Sequence, residues 1–522
     1  MRHYIHSSKI LFMCLLVGIS SVAVYGKWYR RNKNKVVDNV YRSVVAEVRL
    51  GNQLHPEEVR YLEKRKPKVR TALEKIVGMS LENKYQPTIA LVCSGGGYRA
   101  MLGSLGAFSG LQEIGVFDAV TYISTLSGST WALALLLSTQ MTLAELKKYV
   151  SQRLVTDFYE IHRIDARLMV DMWFQKLRNH QSLTTVDLFG AFLAKHLLAG
   201  YFGNNCQKVH LSEQCSYVKE ANVPFPIYTA IDGRMRAVHN PAWYEFNPFE
   251  IGSAEYATYV STWAFGRRFE KGKSIDFAPE QSLGFLLGIF GSAFCAHIGI
   301  AWDRVLKDLA PSFMKTSIET FLVKSKVAQF RFSWARVRNF MVGLQNNPLK
   351  KSKNLKLIDA GIASNLPYLP VSGQRPERQS DILIFCDFSQ MIPHALKESE
   401  NYAREKGLKF PVIDYNGIEK RTISIFKDEQ DPTVPVVIYM PRISDKQLWK
   451  EKKQEAQFRK YRRISDFDFD TCAQSGFCKT INFRYKLRES HQVMDQMEFN
   501  VVANKNQIID VIRWVIEQKG MI

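Results

Sequence analysis

Cysteine is scarce in this sequence, and the spacing of the cysteines does not form a metal-binding module. The chain has eight cysteines in 522 residues. Two pairs lie close together, Cys206 with Cys215 and Cys472 with Cys478. Neither pair forms a C-x-x-C motif or has a histidine at the spacing of a zinc ligand. We therefore expect reduced thiols, no metal site and no cofactor.

Recognisable nucleic-acid-binding motifs are missing too, although the chain is strongly basic. It has 71 lysines and arginines against 50 acidic residues, which gives a formal net charge of +21. Such a charge attracts an anionic partner, either nucleic acid or acidic phospholipid. The sequence has no zinc-finger spacing, no clear RNP-like aromatic strand and no basic region that continues into leucine heptads. We therefore expect an anionic membrane bilayer, and no nucleic acid, as the partner.

No N-glycosylation sequon occurs in the chain, which argues against a lumenal or secreted body. Residues 10–26 (ILFMCLLVGISSVAVYG) form an apolar run at the short limit for a membrane span. The basic residues after this run outnumber those before it, which by the positive-inside rule keeps the rest of the chain in the cytosol. We expect residues 1–26 to be an uncleaved transmembrane anchor in an endomembrane such as the endoplasmic reticulum. A signal segment cleaved after Ala23, followed by the secretory pathway, is the alternative.

Beyond residue 26 the sequence pattern predicts a basic helical stalk, residues 27–86, and one large domain, residues 87–522. The stalk is charged and poor in glycine, and its helical pattern predicts a break at Pro67. In the large domain, the buried-strand runs at 89–93 (IALVC) and 120–125 (VTYIST) are each followed by a turn and a helical segment. Two such units in succession predict a parallel α/β sheet with helices on its faces.

Further runs of the large domain are typical of core strands, and one basic run is typical of an exposed helix. The predicted strands are 224–232 (PFPIYTAID), 355–361 (LKLIDAG), 381–389 (DILIFCDFS) and 434–441 (VPVVIYMP). The basic run at 446–463 (KQLWKEKKQEAQFRKYRR) is consistent with a solvated helix face or with a membrane-facing patch.

A hydroxyl residue follows the second strand of the domain. The stretch 121–131 (TYISTLSGSTW) passes from β-branched and apolar residues into Ser-Gly-Ser and then into a helical segment. A strand that turns into a helix through a small residue can lift one side chain onto the carboxyl edge of a sheet. Ser127 is therefore a candidate nucleophile, although Thr125 and Ser129 stand where a G-x-S-x-G elbow has glycines.

Three consecutive glycines precede this unit, between Ser94 and Tyr98. At the start of a helix, such a run lets several backbone N–H groups converge on one point, which suits a developing oxyanion. The spacing excludes a Walker loop and a G-x-G-x-x-G fingerprint. Arg99 falls in the first helical turn, where the helix dipole disfavours a cation. It is a candidate to bind a substrate phosphate or, alternatively, the partner of a nearby carboxylate.

Two kinds of side chain are candidates for the base that activates Ser127. His394, and less clearly His491, are placed like members of a Ser-His-Asp triad. Asp359 instead lies at the end of a predicted strand, where a carboxylate can accept the serine proton directly if burial raises its pKa. The residues alone leave both possibilities open.

The segments 94–101 (SGGGYRAM), 126–131 (LSGSTW) and 357–367 (LIDAGIASNLP) occur in this order. Others add to them: 224–232 (PFPIYTAID), 243–252 (WYEFNPFEIG), 285–294 (FLLGIFGSAF) and 386–389 (CDFS). Together they closely resemble the catalytic domain of the cytosolic (group IV) phospholipase A2 family, and most of all its calcium-independent gamma branch. The family is similar to fungal phospholipase B, and its fold is a three-layer α/β/α arrangement related to patatin.

This resemblance implies a Ser-Asp dyad without histidine, in which Ser127 is the nucleophile and Asp359 the general base and acid. It also implies that Gly96 and Gly97 form the oxyanion hole and that Arg99 binds the substrate phosphate. The implied substrate is a glycerophospholipid, whose acyl ester Ser127 attacks to form an acyl-serine intermediate. Its hydrolysis corresponds to phospholipase A2 and lysophospholipase activity.

The sequence departs from the family at three points. Thr125 stands where the family usually has glycine, and we expect its β-branched side chain to affect the rate more than the role of Ser127. The last residues contain no prenylation box, so we expect residues 10–26 to attach the protein to membranes instead. No acidic loop of a calcium-binding lipid module is evident, so we expect activity without calcium.

Some features of the sequence allow a second interpretation. The aromatic side chains of Trp243, Phe246 and Trp263 either line an acyl channel or belong to the core. A Ser-His-Asp lipid esterase that uses His394 is the alternative enzyme. A catalytically silent lipid-binding scaffold is the alternative outside enzymes, because of Thr125.

Overall fold

The computed structural model describes residues 39–158, 172, 175–234, 241–295 and 334–520. The strands are β1 (Arg49–Leu50), β2 (Ile89–Cys93), β3 (Val120–Thr125), β4 (Phe225–Asp232), β5 (Trp243–Phe246), β6 (Glu250–Ser253), β7 (Thr258–Ser261), β8 (Phe269–Glu270), β9 (Lys273–Ser274), β10 (Ala335–Arg338), β11 (Asn354–Asp359), β12 (Ile382–Asp387), β13 (Ser424–Phe426) and β14 (Val436–Pro441). The α-helices are α1 (Pro56–Val77), α2 (Gly97–Glu113), α3 (Gly128–Thr139), α4 (Leu143–Arg153), α5 (Thr185–Leu193), α6 (Ala199–Phe202), α7 (Cys215–Lys219), α8 (Leu283–Phe290), α9 (His394–Glu405), α10 (Lys446–Lys452), α11 (Phe469–Gln474), α12 (Leu487–Ala503) and α13 (Lys505–Lys519).

The predicted membrane anchor, residues 1–26, lies outside the described residues, as does the first part of the predicted stalk. Within the described ranges, no helix combines the length and the apolar character that crossing a bilayer requires.

A 12-stranded sheet forms the centre of the molecule. Its strands follow the order β1-β7-β6-β5-β4-β3-β2-β12-β14-β13, with β11 paired to β4 and β10 paired to β11. The central strands β4, β3, β2, β12 and β14 are parallel. The strands on both sides of this centre are antiparallel. The predicted parallel α/β sheet is therefore confirmed at its centre and is extended by antiparallel strands that the sequence pattern did not predict.

Helices cover the sheet in the predicted three-layer α/β/α arrangement. In one group, α2 packs against α3, α4 and α12. Contact between α2 and α12 is close because α2 has glycines on that face: a Cβ atom on Gly106 would lie 2.2 Å from the carbonyl oxygen of Met494. In the other group, α13 packs against α1, where the Arg513 guanidinium donates to the Val77 carbonyl. The long helices of both groups thus bury one face against the strands or a neighbouring helix.

Helix α1 runs without interruption through Pro67, so the predicted break at this residue is wrong. Pro67 is exposed, whereas Tyr61, Arg65 and Val69 form the buried face. The Arg65 guanidinium donates to the carbonyl oxygens of Val120 and Ala221, and the Tyr61 hydroxyl donates to that of Val223. Tertiary packing of this face outweighs the cost of a proline inside a helix, which is about 3 kcal/mol.

A buried ion network fastens α1 to the sheet. Glu58 of α1 accepts two hydrogen bonds of 2.7 Å from the Arg378 guanidinium, and both side chains are fully buried. Arg378 also pairs with Glu245 of β5, and so does Arg375. Because a buried charge is tolerated only with a partner, these contacts fix the position of α1 on the body that contains the sheet.

The sequence pattern predicted one exposed helix for the basic run at 446–463, and this prediction is wrong. It is divided into α10 and a 3₁₀ segment, Ala456–Ile464. Phe458, Tyr461 and Ile464 follow each other at intervals of three, the period of a 3₁₀ helix, and all three are buried. Two cations of the segment are paired with carboxylates, Lys460 with Glu113 and Glu498, and Arg463 with Asp495.

The aromatic residues that allowed two interpretations pack in the protein. Phe246 is fully buried between the rings of Phe265 and Phe290. Trp263 stacks on Tyr41 with 4.3 Å between the ring centroids. Trp243 is 5% exposed. The structure supports core packing for these side chains.

Candidate active site

Ser127 lies on a strained turn between β3 and α3. Its backbone has φ 50° and ψ −126°, a conformation that costs a non-glycine residue about 1–3 kcal/mol. This turn places the side chain at the carboxyl end of β3 and at the N-terminus of α3. The residue is 3% exposed. A strand–turn–helix unit with a strained serine at its tip is the geometry of a nucleophile elbow.

The tight turn at Ser127 depends on Gly95 and Gly128, which do not occupy the glycine positions of the G-x-S-x-G motif. A Cβ atom on Gly95 would lie 2.8 Å from the Cβ atom of Ser127, and one on Gly128 would lie 1.9 Å from the carbonyl oxygen of Gly97. Thr125, by contrast, belongs to β3, and its hydroxyl donates to the Ile227 carbonyl at 3.3 Å. The threonine side chain is thus engaged with the neighbouring strand β4.

The structure brings Asp359 into direct contact with Ser127. The Ser127 hydroxyl donates to Oδ2 of Asp359 at 3.0 Å. The other carboxylate oxygen, Oδ1, accepts the N–H of Gly361 at 2.9 Å, and the N–H of Asp359 itself donates to the Ser292 hydroxyl. Both groups are buried, and the backbone N–H of Gly361 fixes the carboxylate that the hydroxyl contacts.

Strand pairing explains how two residues so far apart in sequence meet. The end of β3 pairs with the middle of β4, Thr125 opposite Tyr228. Strand β11 runs antiparallel to β4 and pairs with its last residues, Asp359 opposite Ala230. Strands β3 and β11 therefore approach each other end to end along β4. Ser127, just after β3, and Asp359, the last residue of β11, lie where the two strand ends meet.

Burial raises the pKa of the Asp359 carboxyl from 3.8 to about 7. Removal from water disfavours the charged form, and the hydrogen bonds from Gly361, Ser127 and Ala293 offset this effect only in part. A carboxyl group with a pKa near neutrality can both accept and return a proton under physiological conditions.

The glycine turn lies beside this pair. Gly96 and Gly97 have φ angles of 143° and 60°, which favour glycine, and they stand at the N-terminus of α2. The N–H groups of the first residues of a helix have no intrahelical acceptor. Because Gly95 contacts Ser127 and Gly97 contacts Gly128, these N–H groups lie at the elbow. The arrangement suits an anionic oxygen formed next to Ser127.

The Arg99 guanidinium is buried and is held by uncharged acceptors. Nε donates to the Phe388 carbonyl at 2.8 Å, and Nη1 donates to the Cys478 carbonyl at 2.7 Å and to Oγ1 of Thr480 at 3.1 Å. Across the described parts of the chain, no carboxylate forms an ion pair with this side chain. The third nitrogen, Nη2, faces Gly96, where a Cβ atom would lie only 2.7 Å away.

Burial, followed by the repulsion from Arg442, lowers the pKa of Arg99 to about 10, so the side chain stays charged at neutral pH. The alternative role of Arg99, as the partner of a carboxylate, is not the one observed. Because Gly96 has no side chain, the Nη2 edge of the cation lies directly against the glycine turn.

One of the two close cysteine pairs forms a disulfide, contrary to the expectation of reduced thiols. Cys472 and Cys478 are joined, with 5.1 Å between their Cα atoms, because Cys478 follows the turn that ends α11 and folds back on Cys472. Cys206 and Cys215 are not joined in a disulfide. In the part of the chain that the structure describes, no group of three or more His, Cys, Asp and Glu side chains has the arrangement of a metal site.

The candidate histidines interact elsewhere. His394 begins α9, its side chain is 59% exposed, and Nδ1 lies 3.4 Å from Glu398. His491 lies within α12, where burial, followed by repulsion from Arg463 and Lys147, lowers its pKa. Since Ser127 donates its hydrogen bond to Asp359, the geometry favours the carboxylate over either histidine as the proton acceptor.

Several residues of the site were not identified from the sequence as site residues. The Ser292 hydroxyl accepts the N–H of Asp359, the side chain of Asn365 contacts Gly95, and the Ser129 hydroxyl donates to the carbonyl of Ser94. Each belongs to a segment on which the family resemblance rests, so the sequence indicated the segments that form the site. The sequence alone does not show which residues of these segments face the site.

Comparison with known proteins supports this interpretation of the fold. Residues 89–414 match the family model described as the lysophospholipase catalytic domain. Among curated proteins, the chain is 27% identical to cytosolic phospholipase A2 zeta of Mus musculus over 91% of this chain and 63% of that protein. It is 28% identical to the Homo sapiens zeta protein over 76% of this chain and 54% of that protein. It is 25% identical to the Mus musculus delta protein over 91% of this chain and 64% of that protein. The chain thus spans less than two thirds of the length of these relatives.

Solved structures with the same fold come from the same group. Human GIVD cytosolic phospholipase A2 superposes with a TM-score of 0.75 at 23% identity, covering 90% of this chain and 68% of that one. A structure of this human protein in complex with methyl gamma-linolenyl fluorophosphonate gives a TM-score of 0.71 at 25% identity, covering 91% and 66%. With the family match and this shared fold, the chain belongs to the cytosolic (group IV) phospholipase A2 family and contains its lysophospholipase catalytic domain.

Proposed function

We propose that this chain is a calcium-independent phospholipase A2 and lysophospholipase that cleaves acyl esters of glycerophospholipids with a Ser-Asp dyad. The observation that carries the proposal is the buried hydrogen bond of 3.0 Å from the Ser127 hydroxyl to Asp359, beside the glycine turn. The curated relatives are named as phospholipases A2, which supports the substrate class.

In the first half of the proposed reaction, ionised Asp359 accepts the proton of Ser127 while Oγ forms a bond to the ester carbonyl carbon. The carbonyl oxygen becomes an oxyanion, which the N–H groups of Gly96 and Gly97 stabilise. When this intermediate collapses, the ester bond to glycerol breaks and the glycerol oxygen takes the proton back from Asp359. Lysophospholipid leaves, and the acyl group stays on Ser127.

In the second half, a water molecule attacks the acyl-serine carbonyl and gives its proton to Asp359. Collapse of the second tetrahedral intermediate breaks the bond to Oγ, and the proton returns from Asp359 to Ser127. The products are a free fatty acid and the original enzyme. One carboxylate with a pKa near 7 can perform every transfer, because its two protonation states are similarly populated at neutral pH.

The dyad is tested by covalent labelling and by product analysis. We expect a fluorophosphonate probe to label the parent protein and Ser109→Ala, a serine of α2 that bonds only within its helix, but not Ser127→Ala. Release of fatty acid from phospholipid vesicles in a calcium chelator should fall at least about a thousandfold in Ser127→Ala and Asp359→Asn, because each removes one half of the proton-transfer pair. His394→Ala should keep the parent rate.

Three results would contradict this proposal. An unlabelled parent protein would support a catalytically silent scaffold, and loss of turnover in His394→Ala would support a Ser-His-Asp esterase. Loss of all parent activity in the chelator would exclude calcium independence.

Arg99 is proposed to bind the substrate phosphate. Among the residues that the structure describes, no carboxylate is hydrogen-bonded to it, and its Nη2 edge faces the glycine turn next to Ser127. A phosphate oxygen at this edge would receive a charge-assisted hydrogen bond at a fixed distance from the nucleophile. This contact would place the ester group for attack.

For Arg99→Lys we expect kcat/KM on phospholipid to fall by about tenfold to a hundredfold, since a lysine cannot reproduce the planar contact. On an uncharged ester of the same chain length the loss should be less than about threefold, because that substrate has no phosphate. Arg267→Lys is the matched control, because Arg267 is also buried and bonded to backbone carbonyls, those of Ala278, Val44 and Tyr41. Equal losses of Arg99→Lys on both esters would show a structural arginine instead.

The chain is proposed to work on an anionic membrane surface, with residues 10–26 as its anchor and its catalytic domain in the cytosol. The net charge of +21 and the apolar run in the sequence support this proposal.

Alkaline carbonate extraction of cell membranes tests the anchor. We expect the full chain to remain in the pellet and the double variant Leu15→Arg, Val17→Arg to be released, because a charge in the centre of a span is costly. Release of the parent chain into the supernatant would exclude an integral anchor.

A further inference from the structure

Asn365 connects the segment that follows Asp359 to the glycine turn. The residue lies six positions after Asp359, beyond the short 3₁₀ turn Ala360–Ile362. Its side-chain oxygen accepts the N–H of Gly95 at 3.2 Å, and its side-chain nitrogen donates to the carbonyl oxygen of the same residue at 3.3 Å. One amide side chain thus holds a single glycine through both of its backbone polar groups.

A second contact fixes the orientation of this amide. Nδ2 of Asn365 also donates to the Ser389 hydroxyl at 2.6 Å. Ser389 is held in turn, because its N–H donates to Asp387 and its carbonyl accepts a hydrogen bond from Arg442. The segments that follow β2, β11 and β12 are therefore joined at one side chain, whose oxygen faces Gly95 N–H and whose nitrogen faces Gly95 C=O and Ser389.

Space at this point is tight. A Cβ atom on Gly95 would lie 2.8 Å from Oδ1 of Asn365 and 2.8 Å from the Cβ atom of Ser127. A Cβ atom on Gly361 would lie 3.0 Å from the same Oδ1 and 3.2 Å from Oδ1 of Asp359. The amide of Asn365 therefore lies directly beside both members of the dyad, although it hydrogen-bonds neither.

The glycine turn needs an anchor of this kind. Gly96 and Gly97 adopt positive φ angles and have no side chains of their own that would fix their peptide planes. Stabilisation of an oxyanion depends on donors held at a fixed position before the reaction begins. Small displacements of the Gly95 peptide would redirect the N–H groups that follow it.

We propose that Asn365 is a positioning residue that clamps the Gly95 peptide, so that the N–H groups of Gly96 and Gly97 point at the oxyanion formed on Ser127. The proposal rests on the proposed hydrolase function. Through the same contact, the segment that carries the general base and the turn that stabilises the oxyanion keep a fixed distance from each other. An amide suits these contacts, because its oxygen accepts one hydrogen bond while its NH₂ group donates two.

Ionisable groups near this amide enter the design of the test. The carboxylates are those of Asp359, Asp387 and Glu398, and burial raises the pKa of Asp359 and of Glu398. The cations are Arg442, which binds the Ser389 carbonyl, and Arg99, which binds the Phe388 carbonyl. His394 lies beside Glu398, and the buried thiol of Cys295 faces Asp359. An added carboxylate at position 365 would disfavour the ionised form of Asp359 and the formation of the oxyanion, because all three charges are negative. An alanine would add no charge.

The test compares three variants of the full chain in steady-state hydrolysis of phospholipid vesicles. In Asn365→Ala we expect kcat to fall by about tenfold to a hundredfold while KM stays within about threefold, because the lost contact acts on the transition state. In Asn365→Asp we expect a loss at least as large, and the pH of half-maximal kcat should rise by about one unit. Although an aspartate side chain has nearly the same shape as asparagine, we expect neither kcat nor the pH midpoint of Asn365→Asp to return to the parent value.

Asn339→Ala is the matched control. Like Asn365, Asn339 makes three hydrogen bonds, here all to the backbone, at Leu349, Ser352 and Met341. It directly follows β10, whose last residue pairs with the first residue of β11, at the far end of β11 from Asp359. We expect it to lower the melting temperature at least as much as Asn365→Ala, with kcat within about twofold of the parent.

Unchanged kcat in Asn365→Ala, equal losses of kcat in Asn365→Ala and Asn339→Ala, or an unshifted pH midpoint in Asn365→Asp would each overturn the clamp. If Asn365→Ala does not fold, the kcat and the pH midpoint of Asn365→Asp test the clamp on their own. Failure of the hydrolase proposal itself is recognised separately, because the parent protein would then release no fatty acid that depends on Ser127.

Discussion

The buried hydrogen bond between Ser127 and Asp359 is the contact on which the proposed chemistry of this protein depends. Burial raises the pKa of Asp359 to about 7, so the carboxyl group is half ionised near neutral pH. This raised pKa lowers the stability of the folded protein as the pH rises. Below about pH 4 the carboxyl group is protonated in both the folded and the unfolded chain. Between about pH 4 and pH 7 it ionises more readily in the unfolded chain, so the free energy of unfolding falls. The ionised form, which the proposed reaction requires, is therefore the less stable one.

The rest of the site keeps this contact in one geometry. Strands β3 and β11 meet end to end along β4, which brings the hydroxyl and the carboxylate together from distant parts of the chain. The strained elbow holds Ser127, and the N–H groups of Gly361 and Ala293 hold the carboxylate. The Asn365 amide and the glycine turn complete the arrangement on the side of the proposed oxyanion. Each part restricts a group that would otherwise rotate.

Local patterns were sufficient to predict the core strands and the elbow, because buried apolar runs and glycine turns are properties of short segments. Predictions failed where distant residues decide the structure. Pro67 stays helical because the opposite face of α1 packs on the sheet, and the run at 446–463 divides because Phe458, Tyr461 and Ile464 pack at 3₁₀ spacing. The antiparallel pairing of β11 with β4 has no local signal. Without that pairing, neither the choice of Asp359 over His394 nor the role of Asn365 follows from the residues.

The most direct measurement is the rate of fluorophosphonate labelling of Ser127 as a function of pH. If Asp359 is the base, the rate constant rises through one ionisation near pH 7 in the parent protein, and in Asp359→Asn it is low at every pH. A midpoint near pH 4, as for a carboxyl group in water, would contradict the buried dyad. So would a pH profile that stays the same in Asp359→Asn.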